Sequence, residues 1–496
     1  MSDKSFNRVS RRHVLAGMAS AIGTGAFARA PETSERPLPR GQVPSLVSPS
    51  VSERLVRDAG LGGAVGFVVA DVATGDILEA RLAETLLPPA STLKAVTTIY
   101  AIDRLGPSFR FRTEVLAAGK LKDGRLDGDL ILKGGGDPTL DTDRMADLAV
   151  ALRENGLREV TGRFLVCPGD FPSGDRIDDD QPDHVGYNPA FGGLNLNYNR
   201  VHFEWERSGD DYAVTMQARG LRFRPATSVA QMSIVDRSAP VYDYWSTREK
   251  DVWSVARGAL GNNGARWLPV RFPAVYAGDV FRTLARSNGI VLGPVEKIAS
   301  VHEGQLLVAT ESDHLVPVLV DMLKYSTNLT AEMTGLTASL ANGVPVNGLL
   351  GSGSRMAGWA MEKFGAIGLK FRDHSGLGYG SAISPIGMVQ ILQANAGINV
   401  LMKSFDLSLD KSRPNPNGVE VRAKTGTLNF VSSLAGFART AGGRELCFAI
   451  FTADTMRRDA IPPEQRERPQ GAKGWSRRSR QLQKELIRGW AARFDA

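Results

Sequence analysis

The chain has 496 residues, 42% of them hydrophobic, which is enough for two to three domains with cores of their own. Its formal net charge of +7 falls to +3 without residues 1–30, where five basic side chains stand against Asp3, so nucleic-acid binding loses its main support. The two cysteines and six histidines show no metal-ligand spacing, and Gly134-Gly135-Gly136 lacks the Lys-Ser/Thr of a phosphate loop. We therefore expect no nucleic-acid partner, no metal and no other cofactor.

The first 30 residues are typical of a twin-arginine signal peptide. Arg11-Arg12 precede an apolar stretch from Val14 to Phe27, which Ala28-Arg29-Ala30 follows as an A-x-A cleavage site. The stretch is too short and too rich in Gly and Ala for a permanent membrane helix. A disordered basic start is the alternative. We expect export to the periplasm, with proline-rich residues 31–49 as a linker.

A first folded segment is predicted over residues 50–111. Residues 65–72 and 77–82 flank Thr74-Gly75 and are typical of a hairpin. Pro88-Pro89 stops the chain before a helix that begins near Ser91 and ends at Gly106-Pro107. The apolar face of this helix consists of Ala95, Val96, Ile99, Ile102 and Leu105.

Ser91-Thr92-Leu93-Lys94 at the start of this helix is an S-x-x-K pattern. Residues three apart share a helix face, so Lys94 can accept the proton of the Ser91 hydroxyl. This requires a lowered lysine pKa, through burial or through a second cation such as Lys424. The alternative is a capped helix with a solvated Lys94. A second S-x-x-K at residues 408–411 lies in a polar stretch that we predict to be a loop.

Residues 112–308 are predicted to form an inserted accessory domain. From Arg112 the pattern changes to short strands and Asp-Gly turns, and about 208–267 is typical of a nested β-rich piece. The first domain resumes over residues 309–496. Cys167 and Cys447 lie in apolar segments of the two different domains, so we expect two buried small side chains, with a disulfide as the alternative.

Ser326-Thr327-Asn328 lies between two predicted helices, residues 314–324 and 329–340. Polar side chains at such a junction suit the wall of a cleft, and the alternative is an N-cap formed by Ser326 or Thr327.

Lys424-Thr425-Gly426, followed by Thr427, lies in a predicted strand with a partner over residues 430–437. The lysine and the two threonine hydroxyls suit a substrate carboxylate, and Gly426 leaves room for a substrate backbone. The alternative is an edge strand with a protective lysine.

The last segment is a basic amphipathic helix that includes Arg477-Arg478 and Arg488. We expect it to pack on its own sheet. Its alternative location is a membrane surface, which would give peripheral contact at most. Its apolar side chains are Trp475, Leu482, Leu486, Ile487, Trp490 and Phe494.

S-x-x-K, S-x-N and K-T-G in this order are the signatures of the penicillin-recognising acyl-serine enzymes. Over almost all of its length after the leader, the chain resembles the D-alanyl-D-alanine carboxypeptidase/endopeptidase family, the class C low-molecular-mass penicillin-binding proteins (serine peptidase family S13). The wide gap between Ser91 and Ser326 is characteristic of that family. The chain departs from it at Thr327, where Asp or Asn is usual, and at His374, where a small residue is usual. The similar segments are residues 89–94, 134–140, 373–377, 383–385 and 424–427.

The resemblance implies an α+β fold, with a penicillin-binding-protein/β-lactamase-like catalytic domain of antiparallel sheet and helices, and large inserted β-rich domains. It implies a serine peptidase that cleaves D-Ala-D-Ala in peptidoglycan stem peptides, and that β-lactams inhibit covalently. A β-lactamase or esterase of the same fold, and a non-catalytic wall-binding scaffold, are the alternatives.

The resemblance also implies a role for each residue of the motifs. Ser91 is the nucleophile, Lys94 the general base and Ser326 the proton relay. Asn328 holds the substrate amide and Lys424 supports the electric field of the site. Thr425, Gly426 and Thr427 bind substrate, and the backbone N–H groups of Ser91 and Thr427 form the oxyanion hole.

Overall fold

The computed structural model describes residues 50–495, so the predicted signal peptide and linker lie outside the described residues. The α-helices are α1 Val51–Asp58, α2 Leu93–Leu105, α3 Thr142–Glu154, α4 Pro273–Ser287, α5 Leu315–Tyr325, α6 Asn328–Leu340, α7 Gly348–Phe364, α8 Pro385–Gln393, α9 Thr455–Asp459 and α10 Ala472–Arg493. The strands are β1 Ala64–Asp71, β2 Ile77–Arg81, β3 Arg112–Lys122, β4 Arg125–Lys133, β5 Glu159–Val160, β6 Phe164–Cys167, β7 Arg200–Ser208, β8 Asp211–Gln217, β9 Ala230–Val235, β10 Tyr242–Thr247, β11 Lys250–Ala256, β12 Asn263–Pro269, β13 Val295–Lys297, β14 Gln305–Glu311, β15 Leu369–Lys370, β16 Ala382–Ile383, β17 Glu420–Leu428, β18 Val431–Arg439 and β19 Glu445–Ala453.

A five-stranded antiparallel sheet, in the order β17-β18-β19-β1-β2, forms the centre of the first domain. Both faces of β1 are buried because helices cover the sheet on both sides. Side chains alternate between the faces of a strand, so Val68 and Ala70 join the cluster that contains α2, while Phe67 and Val69 join the cluster that contains α10. The hairpin predicted around Thr74-Gly75 is confirmed by the pairing of β1 with β2.

The C-terminal helix α10 packs on this sheet, as predicted. Trp475, Leu486 and Trp490 are buried in the cluster that includes Phe67 and Phe448. The sheet therefore occupies the apolar face that a membrane surface would need. Within residues 50–495, no helix combines the length and apolar character that crossing a membrane requires.

Residues between β3 and β14 form further sheets with a separate buried core. One sheet has the order β13-β6-β4-β3-β14 with β5 beside β4, and two three-stranded sheets have the orders β12-β7-β8 and β10-β11-β9. The hydrophobic cluster of this segment draws its members from residues 115–308. The borders at 112 and 308 and the nested piece at 208–267 stay predictions. Cys167 and Cys447 are both buried and free, so the structure contains no disulfide between them.

Candidate active site

The sequence places Ser91 in a tight turn directly before α2. Residues Ala90–Thr92 form a 3-10 turn, and α2 continues from Leu93, so Lys94 projects from the first helical turn back toward Ser91. Lys94 Nζ lies 2.9 Å from Ser91 Oγ. The predicted S-x-x-K pair is therefore in hydrogen-bond contact.

The Lys94 amine has three polar neighbours in all. Besides Ser91 Oγ, it lies 2.7 Å from Asn328 Oδ1 and 2.9 Å from the backbone oxygen of Ser375. The last two atoms only accept hydrogen bonds, whereas the serine hydroxyl can also donate. A neutral Lys94 thus donates its two protons to Asn328 and Ser375 and directs its lone pair at the Ser91 hydroxyl.

Burial lowers the pKa of Lys94 to about 8, since its side chain is fully shielded from solvent. Glu332 and Asp373 are buried carboxyl groups that oppose this change. The cation Lys424 is not the cause that we expected. Instead, the pKa of Lys424 is itself lowered. Burial is the larger cause and the charge of Lys94 is the smaller one.

Lys424 connects the K-T-G strand to the S-x-N segment. Its Nζ donates to Ser326 Oγ at 2.9 Å and to the backbone oxygen of Thr425 at 2.7 Å, and its side chain is buried. A protective edge lysine would face solvent, so that alternative is wrong, although β17 is an edge strand.

Ser326 adopts a left-handed conformation, with φ 59° and ψ 38°, at the end of α5. Such a backbone costs a non-glycine residue about 1 kcal/mol or more and is common at functional sites. Thr327 precedes α6 but makes no side-chain capping bond. The N-cap alternative is therefore wrong, and the Ser326 hydroxyl turns toward Lys424 instead.

Gly426 is close to the nucleophile itself. A Cβ at this position would lie 2.9 Å from the backbone nitrogen of Ser91 and 2.7 Å from the backbone oxygen of Pro89. We predicted space for a substrate backbone, but the protein's own chain occupies it. The missing side chain instead lets β17 approach Ser91, so the next residue, Thr427, lies at the same edge of the site.

The remaining motif residues differ in their exposure to the cleft. Thr427 lines the cleft, whereas Thr425 is exposed outside the cleft lining. Ser408 lies in a loop, where its Oγ donates to Asp406 at 2.7 Å, so the second S-x-x-K is not part of the site.

His374 lies behind the site and does not line the cleft. Its ring is fully buried against Gly335, and its Nε2 lies 2.7 Å from Ser352 Oγ. Burial lowers the pKa of His374 to about 3, so the imidazole is neutral at physiological pH. The unusual residue is accommodated because Gly335 carries no side chain: a Cβ there would lie 2.1 Å from the ring.

Two buried carboxylates that we did not predict fix the segment around His374. Glu332 accepts from the backbone nitrogens of His374 and Ser375, both at 2.9 Å. Asp373 accepts from Ser381 Oγ at 2.7 Å and from the backbone nitrogen of Gly378 at 2.6 Å. These bonds hold the Ser375 carbonyl in position for Lys94. The spacing of Asn328 and Glu332, four apart on α6, was the available sequence signal.

A loop from the segment between β3 and β14 also reaches the site. The backbone oxygen of Tyr187 accepts from Asn328 Nδ2 at 2.8 Å. Arg271 fixes this loop, because its buried guanidinium donates to the backbone oxygens of Asp183 and Asn188, both at 2.7 Å. The two amide ends of Asn328 are thus held by Lys94 and by the loop.

A cleft of about 810 Å³ contains Ser91, Ser326, Asn328 and Thr427 in its lining. The four side chains come from the turn before α2, the α5–α6 junction and β17, so the cleft brings residues of the three motifs together.

Comparison with known proteins identifies the family. A model of the D-Ala-D-Ala carboxypeptidase 3 (S13) family matches residues 48–469. The chain belongs to this family. It is 29% identical over 438 residues to the D-alanyl-D-alanine carboxypeptidase of Actinomadura sp. (strain R39), covering 80% of this chain and 79% of that protein. It is 26% identical over 437 residues to the D-alanyl-D-alanine carboxypeptidase DacB of Haemophilus influenzae, covering 82% and 89%.

The fold of this S13 peptidase matches that of a solved relative. The crystal structure of penicillin binding protein 4 from Haemophilus influenzae superimposes with a TM-score of 0.73 at 21% identity, covering 88% of this chain and 99% of that one. The same protein complexed with a β-lactam gives a TM-score of 0.68. The predicted α+β fold with additional β-sheets is confirmed, and the protein is a serine-type D-Ala-D-Ala carboxypeptidase.

Proposed function

We propose that this carboxypeptidase acts through a covalent Ser91 acyl-enzyme on peptidoglycan stem peptides, and that it also cleaves D-alanyl cross-links. One observation supports this most directly: the Lys94 amine lies 2.9 Å from Ser91 Oγ while Asn328 and Ser375 take its other hydrogen bonds. Nucleophile and base are within hydrogen-bond reach, and the base is oriented by fixed acceptors, as nucleophilic catalysis requires.

Acylation begins when neutral Lys94 accepts the Ser91 proton and Oγ attacks the carbonyl carbon between the two D-alanines. The carbonyl oxygen gains negative charge and is stabilised by the backbone N–H groups of Ser91 and Thr427. The close approach of Gly426 to Ser91 supports this pairing of donors. Collapse of the intermediate breaks the C–N bond and leaves an ester on Ser91.

Ser326 gives its proton to the leaving nitrogen as the C–N bond breaks, so that the product leaves as a neutral amine. Its hydroxyl is 2.9 Å from Lys424 Nζ, so the lysine can return a proton to it. The substrate carboxylate binds beside Lys424 and Thr427, and its negative charge favours the protonated form of the buried lysine. Water finally hydrolyses the ester, and β-lactams stop the cycle by forming a Ser91 ester of their own.

Digestion of purified muropeptides tests this proposal. We expect pentapeptide stems to lose one D-alanine and cross-linked dimers to yield two monomers, as measured by mass spectrometry of the products. Loss of D-alanine with intact dimers would restrict the activity to the carboxypeptidase reaction.

The carboxylate contact predicts the behaviour of Thr427→Val. This variant keeps the side-chain shape and the backbone N–H but loses the hydroxyl. Loss of one charge-assisted hydrogen bond costs about 1.5–3 kcal/mol, which is roughly ten- to a hundredfold in specificity. We therefore expect kcat/KM to fall by this factor for a peptide with a free C-terminal carboxylate. An ester substrate without that carboxylate is the control, and an equal loss on both substrates would contradict the carboxylate role.

We also propose export through the twin-arginine route, on the basis of Arg11-Arg12 and residues 28–30. Replacing both arginines by lysine should leave precursor in the cytoplasm, whereas the natural protein should be periplasmic with a mature start near Pro31. Cell fractionation and N-terminal sequencing measure both outcomes. Periplasmic accumulation of the double-lysine variant at the natural level would refute this route.

A further inference from the structure

The side-chain amide of Asn328 has a partner at each end, and the two partners come from different parts of the fold. Its Oδ1 accepts from Lys94 Nζ at 2.7 Å, and its Nδ2 donates to the backbone oxygen of Tyr187 at 2.8 Å. Lys94 lies on α2, whereas Tyr187 lies in the long loop between β6 and β7. The segment between β3 and β14 therefore contacts the side chain that orients the base.

The Tyr187 carbonyl determines which end of the amide faces Lys94. A carbonyl oxygen only accepts hydrogen bonds, so it attracts the Nδ2 end of Asn328 and repels the Oδ1 end. In the flipped orientation, Nδ2 would face Lys94 and donate to the lone pair of the neutral amine. The same lone pair takes the proton of Ser91, so a flipped amide would occupy the base.

Arg271 holds the loop that carries Tyr187. Its Nη1 donates to the backbone oxygens of Asp175 at 2.8 Å and Asn188 at 2.7 Å, and its Nη2 donates to that of Asp183 at 2.7 Å. Asn188 directly follows Tyr187 in the chain. Arg271 is only 4% exposed, and burying a charge is costly. An apolar side chain would avoid that cost, but it would leave three carbonyls without a donor.

Arg271 is itself anchored on the sheet β10-β11-β9. Asp251 of β11 is fully buried and accepts from the backbone nitrogen of Arg271 at 3.1 Å and from the hydroxyl of Tyr244 at 2.9 Å. The guanidinium lies over the Tyr244 ring, 5.9 Å from its centroid. A continuous set of contacts thus connects this sheet, through Arg271 and the loop, to Asn328.

The same segment also packs on α6, the helix that begins at Asn328. Met333 and Leu336 of this helix lie in one buried cluster with Phe191, which follows Tyr187 in the same loop. Apolar contacts fix the position of the helix, but they do not distinguish the oxygen of a side-chain amide from its nitrogen. That distinction requires a polar partner, which is the Tyr187 carbonyl.

We propose that Arg271 is a positioning residue for the Asn328 amide. Through the Tyr187 carbonyl, it keeps Oδ1 toward Lys94 and so leaves the lone pair of Lys94 free. The proposal rests on the acylation of Ser91 and adds a role in that step for the segment between β3 and β14.

Arg271→Met tests the proposal through the rate of acylation by a fluorescent penicillin. Methionine suits a buried position but donates no hydrogen bond to the loop. We expect the rate per active molecule to fall by about ten- to a hundredfold, because a small displacement of a catalytic group has effects of this size. The end point of labelling counts the active molecules, so loss of folded protein is not mistaken for loss of rate.

Arg271→Lys should give a rate between those of the natural enzyme and Arg271→Met. The ammonium group keeps the charge and can donate to the carbonyls, but it lacks the planar fork of the guanidinium. We expect its rate to fall by about threefold or more. If Arg271→Met does not fold, Arg271→Lys carries the test.

Asn328→Ala provides a background that separates positioning from stability. If Arg271 acts through Asn328, replacing it in Asn328→Ala should lower the remaining rate by less than about twofold, the usual limit of additivity. A general loss of stability, or a direct effect of the loop on penicillin binding, would persist in that background.

Arg237→Met is the matched control. Arg237 is a half-buried arginine that donates to the backbone oxygens of Pro240 at 2.6 Å and of Ser254, on β11, at 3.0 Å. These acceptors lie outside the loop of Tyr187. The variant should therefore keep the natural acylation rate, whatever its melting temperature.

Acylation of the natural enzyme reports the peptidase mechanism alone, so its absence would count against the Ser91 nucleophile and not against Arg271. Three results would overturn the role of Arg271. The first is a fall of less than about threefold in Arg271→Met, or in Arg271→Lys where the methionine variant does not fold. The second is a fall of about twofold or more when Arg271 is replaced in Asn328→Ala. The third is an equal fall in Arg237→Met.

Discussion

Ser91→Ala is expected to abolish covalent labelling by a fluorescent penicillin and to lower peptide turnover by on the order of 10⁴-fold or more. Alanine lacks the Oγ that lies 2.9 Å from Lys94 Nζ, so no ester bond to the enzyme can form. The folded structure should persist, because Ser91 is only partly buried and a methyl group fits where the hydroxymethyl was. In-gel fluorescence and intact-protein mass after incubation with penicillin measure the loss.

Ser408→Ala is the matched control, because it removes the serine of the other S-x-x-K pattern. Ser408 Oγ bonds only to its neighbour Asp406 in an exposed loop, so labelling should remain at the natural level. Both variants should show the circular dichroism of the natural protein. Stoichiometric labelling of Ser91→Ala, or lost labelling in Ser408→Ala, would contradict the assignment of the nucleophile.

The parts of the site that the sequence predicted are those that local chemistry encodes. Ser91 and Lys94 are three apart on one chain segment, so their contact follows from helix geometry alone. Lys424 and Ser326 are 98 residues apart, but the order of the three motifs identified them as one site by resemblance. The hairpin of β1 and β2 and the packing of α10 followed from hydrophobic periodicity.

The parts that the sequence did not predict depend on contacts between distant segments. Tyr187 reaches Asn328 across 141 residues, and it does so through a backbone oxygen that any residue type would supply. Ser375 likewise contacts Lys94 through its carbonyl, across 281 residues. A contact that a backbone group makes cannot be recognised from the type of the amino acid. A glycine at position 426 indicated that another group lies close to the backbone there. The residue type did not tell whether that group belongs to the substrate or to the protein.

The effect of the charges around Lys94 on its pKa also could not be predicted from the sequence. Burial is the main cause of its lowered pKa, and burial is a property of the packed site. Glu332 and Asp373 were visible as residues, but their effect on Lys94 depends on being enclosed with it. The expected cation, Lys424, is a group whose own pKa is lowered by burial and, second, by Lys94.

Lys94→Met should lower the rate of acylation by penicillin by about 10²–10⁴-fold, the usual contribution of a general base. Methionine has a similar length and suits a buried position, but it has no lone pair for the Ser91 proton. Asn328 Oδ1 and the Ser375 carbonyl lose a donor, which costs about 1–3 kcal/mol of stability for each group. A thermal melt beside the labelling rates separates lost catalysis from lost folding.

The pH dependence of the acylation rate in the natural enzyme is a second test of Lys94 as the general base. Only the neutral amine accepts a proton, so the acylation rate should rise with pH and level off above the Lys94 pKa of about 8. At pH 6 the rate should be about a hundredfold below its plateau, because the neutral fraction falls tenfold per pH unit. Glu332→Gln removes a carboxylate that raises the Lys94 pKa, so its profile should move to lower pH. A rate that stays constant between pH 6 and 9 in the natural enzyme, together with full acylation of Lys94→Met, would show that another group takes the Ser91 proton.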